Sequence, residues 1–88
     1  MSPANYKVTI TEHDYAYTTY TAWVNGTSRN QAMVKAAALA GQEKARRESE
    51  RTGRPVAVEG LMEPEIKMEA CSLDEYWEHR EEVTVNAG

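Results

Sequence analysis

The chain has 88 residues, 14 acidic and 10 basic, for a net charge of −4, enough for one domain spanning 1–88 and too short for two. Valine, leucine and isoleucine number only 7, 3 and 2, phenylalanine is absent, and alanine supplies 12 residues, so the core is thin and partly built of methyl groups. No apolar run approaches the ~18 residues of a membrane span, and no basic-then-apolar leader opens the chain. The single cysteine, Cys71, excludes an internal disulfide and a Cys-based zinc site. A cytoplasmic protein without membrane attachment is the expectation.

Tyr6, Val8 and Ile10 alternate with Lys7, Thr9 and Thr11, the period-two signature of a half-buried strand over 6–12. Glu12-His13-Asp14 then predicts a turn. Residues 15–24 are rich in Thr and aromatics, which fit a pleated surface, and form the second strand of a hairpin. Tyr20, Ala22 and Val24 share one side of it and Tyr15, Tyr17 and Trp23 the other; the pattern leaves open which side is buried. Asn25-Gly26 is a turn signal, but Ser28-Arg29-Asn30-Gln31 is a capping box, so a helix is expected over 29–51. Its apolar stripe is Ala32, Met33, Ala36, Ala37 and Ala40, with Leu39 beside it. Gly41 would bend or shorten it, at about 1 kcal/mol relative to Ala, and Thr52-Gly53 followed by Pro55 ends it.

Val56 and Val58 suggest a third strand ending near Met62. Glu63-Pro64 turns the chain, and Ile66, Met68 and Ala70 alternate with charged residues in a fourth strand. Ser72-Leu73-Asp74-Glu75 is a second capping box, opening a helix over 73–82 anchored by Leu73, Tyr76 and Trp77. Val83-Thr84-Val85 adds a short last strand. The order is ββα-ββα(β). It predicts an α+β fold: a mainly antiparallel sheet of four to five strands, a long helix on one face, and a short second helix at an edge or on the same side.

Charge is distributed unevenly. Residues 59–82 hold nine carboxylates against Lys67 and Arg80, whereas the rest of the chain is slightly basic. Glu65 and Glu69 share a face of the fourth strand. Asp74, Glu75, Glu78, Glu81 and Glu82 belong to the short helix. Such an array keeps a thin-cored protein in solution, and it also suits docking to a basic protein surface, for instance that of a nucleic-acid-binding protein. Direct nucleic-acid binding by the acidic segment is disfavoured by repulsion. Five of the seven aromatics fall within residues 6–23, more than one face can hide; Tyr15, Tyr17 and Trp23 are candidate interface anchors. A homodimer through this Tyr/Trp face is the alternative, because burial between subunits would supplement the core.

Chemistry-bearing patterns are weak. His13, Cys71 and His79 show no ligand spacing. No glycine-rich phosphate loop exists, and carboxylate pairs are too abundant to mark a catalytic dyad. No enzyme, cofactor or metal is expected. The Tyr/Thr-rich hairpin from Tyr6 to Val24, the Ala-rich helix opened by Ser28-Arg29-Asn30-Gln31 and the acidic end together resemble small phage-encoded inhibitors of bacterial defence, the anti-CRISPR proteins among them. That resemblance is one of type and carries no residue over. It implies a stoichiometric inhibitor that binds a Cas protein or complex, with residues 59–82 in the contact.

Overall fold

The computed structural model describes residues 3–13, 17–58, 60–80 and 82–87. Strands β1 (Ala4–His13) and β2 (Tyr17–Gly26) form the hairpin, followed by helix α1 (Arg29–Thr52), strand β3 (Glu65–Ala70), helix α2 (Leu73–His79) and strand β4 (Val83–Ala87). The fold is α+β, as the element order predicts. The four strands make one antiparallel sheet in the order β3-β1-β2-β4.

The register resolves which face of the hairpin is buried. Val8 lies opposite Ala22, and Ile10 opposite Tyr20. These four residues and Val24 pack against Ala32, Ala36 and Ala40 of α1. Val8, Ile10 and the three alanines are fully buried. Because the helix contributes only methyl groups here, its axis can lie close to the sheet. At Gly26 the backbones already stand close: a Cβ at that position would lie 2.9 Å from the Ala32 nitrogen. Ser28 caps α1 by accepting from the Gln31 N–H, and Gly53 closes it at φ 71, the left-handed region that glycine enters without cost.

Four local expectations are corrected. Glu12 and His13 do not turn; they stay paired with Thr18 and Tyr17, because the Glu12 carboxylate is drawn inward, accepting from Lys44 Nζ at 2.5 Å and from the Met62 N–H at 2.9 Å. Asp14, Tyr15 and Ala16 lie outside the described residues. The stripe of α1 passes through Gly41 to Ala45 without ending, and leaves Ala37 exposed. The strand expected over 56–62 is irregular chain at its described residues. Pro55 cannot donate to a ladder, β3 occupies the available edge of β1, and the segment is held instead by Val56 N–H on Ser49 Oγ and His13 N–H on the Met62 carbonyl; Glu59 is outside the described residues. Finally, α2 stops at His79 rather than 82, and of its three expected anchors only Tyr76 is half-buried; Leu73 and Trp77 are 57% and 54% exposed. No helix among the described residues is long and apolar enough to cross a membrane.

Candidate functional site: an acidic sheet face

Strand alternation turns Lys7, Thr9 and Thr11 of β1 away from α1. Their register partners are Trp23, Thr21 and Thr19 on one side and Glu69, Lys67 and Glu65 on the other. Thr84 and Asn86 of β4 continue the same rows beyond Thr21 and Thr19. The face opposite α1 therefore has a floor of threonines, confirmed by the 3.3 Å Thr11–Thr19 hydroxyl contact. The hydroxyls donate and accept but carry no charge.

Helix α2 covers one end of this face. Trp23 points away from α1 and lies beneath α2: its ring stacks on His79 with centroids 4.3 Å apart, and its indole N–H donates to Glu75 at 2.8 Å. Ser72 caps the helix by accepting from the Glu75 N–H. Glu75 thus serves two structural bonds, and Trp23, only 8% exposed, supports α2 rather than standing free as an anchor. The connection from β3 to β4 crosses the sheet here, which brings the two acidic stretches to one face.

Glu65 and Glu69 stand exposed on the β3 edge. Glu65 is 3.4 Å from His13 Nε2, and Glu69 is 3.5 Å from Lys67. Asp74, Glu78 and Glu82 are exposed on and just after α2; Glu82 meets His79 Nδ1 at 3.1 Å, and Glu78 lies 3.9 Å from Nε2. Tyr17 is 64% exposed at the far end and meets His13 edge-on at 4.8 Å. Glu81 and Tyr15 lie outside the described residues. Other groups come into view here, among them Trp77, which the sequence pattern assigns to anchoring the short helix. Trp77 is an exposed aromatic with Arg80 stacked 4.1 Å over its ring, and the threonine floor was signalled by Thr9-x-Thr11 and Thr19-x-Thr21 but needed the register to become a surface.

The arrangement offers little to a nucleophile. Burial pushes the Cys71 thiol up, the Glu75 charge adds to this, and Lys7 offsets part of it; a thiol so placed is held in its unreactive protonated form. Both His79 nitrogens face carboxylates. Among the described residues no three His, Cys, Asp or Glu side chains converge as metal ligands. What the face can do is present carboxylates, hydroxyls and an exposed aromatic on a rigid sheet.

No family model, curated protein or solved structure matches this chain.

Proposed function

We propose that this protein is a non-enzymatic binding module that docks its acidic face onto a basic protein surface. The observation that carries this reading is the convergence of two acidic stretches, Glu65–Glu69 and Asp74–Glu82, onto the single sheet face that α1 leaves open. Like charges gathered on one face raise the local field and steer an oppositely charged partner. A surface evolved to grip nucleic acid is the natural match, because its cations are spaced for phosphates and would accept exposed carboxylates in their place. Exposed Tyr17 and Trp77 supply the aromatic contact that hot spots favour. In line with its resemblance to anti-CRISPR inhibitors, the module would act by stoichiometric occlusion of such a partner, a Cas protein or complex being the first to try. A second copy of the chain is a poorer occupant of this face: two equally acidic surfaces repel, and Trp23 is already spent on α2.

The test is affinity capture from a bacterial lysate at low salt and at about 0.5 M salt, where the screening length falls well below 10 Å. The reading expects one basic partner, retained at low salt and released at high salt. Retention of an acidic partner, or of one indifferent to salt, would overturn it.

A further inference from the structure

On the side of the molecule away from the acidic face, α1 and β2 enclose a second feature. Lys44, Arg47 and Arg51 recur at i, i+3 and i+7, one face of the helix. With Thr18, Tyr20 and Glu48 they line a cleft of about 350 Å³. The carboxylates nearby are committed: Glu43 and Glu50 both bind Arg46, Glu48 binds Arg51, and Glu12 accepts from Lys44. The Arg47 side chain is exposed and acts on Glu43 only through its charge, with no side-chain hydrogen bond or ion pair among the described residues. Tyr20 is 3% exposed, yet its hydroxyl also makes no hydrogen bond among them and borders the cleft. Burial pushes the Tyr20 phenol's pKa up, with Glu12 adding to this against Lys44 and Arg47, so the phenol stays protonated and able to donate. The exposed Arg47 side chain and the Tyr20 side chain thus border one concave space lined by three cations and a single carboxylate.

We propose that this cleft binds the phosphate group of a small phosphomonoester. The Arg47 fork and the Tyr20 hydroxyl donate to its oxygens, and Lys44 and Arg51 border it. A guanidinium suits the oxygens of a phosphate, and a dianion matches the surrounding cations better than a single carboxylate. The volume is near the lower end of small-molecule sites, about 300–1,000 Å³. A nucleic-acid strand fits less well, because Glu43, Glu48 and Glu50 interrupt the basic stretch and would repel a continuous backbone.

Titration of the full chain with inorganic phosphate and with adenosine monophosphate, followed by ¹⁵N NMR including the arginine Nε–H signals, tests this. Saturable shifts at Arg47 are expected with both ligands, larger affinity for the ester showing that more than the ion is held. Arg47→Ala should weaken binding about tenfold or more, the effect of losing a charged hydrogen-bond partner, and Tyr20→Phe severalfold without loss of fold. Arg29→Ala, which removes a cation at the opposite end of α1 and outside the cleft, should leave affinity unchanged. Absence of saturable shifts up to about 20 mM ligand, well above a millimolar Kd, would overturn the proposal. So would equal weakening by Arg29→Ala and Arg47→Ala, or binding of a single-stranded oligonucleotide without binding of the mononucleotide.

Discussion

Glu12 shows how much one side chain organises here. Its carboxylate is buried, and the same oxygen takes the Lys44 ammonium and the Met62 N–H. It therefore ties β1 to α1 and to the irregular segment before β3. Removing one member of a buried ion pair leaves the other uncompensated, though Lys44 is 32% exposed at its side chain and recovers part of its hydration. Glu12→Ala should lower unfolding free energy by about 2 kcal/mol, read from urea denaturation. Glu12→Gln, which keeps an oxygen for Met62, should cost less. Equal stability of all three proteins would mean that the pair contributes nothing. This residue also explains a misreading: Glu-His-Asp is polar enough to suggest a turn, and it takes two tertiary partners, Lys44 and the Met62 N–H, 32 and 50 residues away, to hold Glu12 in the strand.

At the scale of elements, local chemistry was legible wherever it acts locally. Capping by Ser28 and Ser72, the Gly53 stop and the period-two alternation of β1 and β3 are short-range effects, and each is where the pattern puts it. Long-range choices were not legible. Nothing near Val56 says that β1 has already accepted β3, and nothing near Trp23 says that α2 will cross over it. The acidic residues were visible as composition, but their convergence depends on that crossover. The second half of α1 yields a prediction of its own. The side-chain hydrogen bond from Arg46 holds the Glu43 carboxyl below its ordinary value of 4.5, and Arg51 does the same for Glu48. A carboxyl lowered in the folded state adds stability that is present above its unfolded value and lost as pH falls through the folded one. Wild type should therefore be more stable than a Glu43→Gln, Glu48→Gln variant at pH 7, and the gap should close as pH drops below about 4.5, measured by urea midpoints. A gap independent of pH would assign the effect to something other than these ion pairs.

The molecule as a whole is an elongated body of 42 × 22 × 20 Å with unlike sides. One carries α1, where most carboxylates are matched to arginines. The other is the threonine floor bordered by Glu65, Glu69, Asp74, Glu78 and Glu82, matched only in part by Lys67 and the two histidines. Solubility alone would be served by carboxylates placed anywhere, whereas gathering them on the one face free of α1 suits a complementary partner. The most direct measurement is the affinity of the captured basic partner for wild type and for a folded variant carrying Glu65→Lys, Glu69→Lys, Glu78→Lys and Glu82→Lys, with Arg54→Glu on the other side as control. The account predicts loss of binding in the fourfold variant and little change in the control. Undiminished binding by the fourfold variant would contradict it.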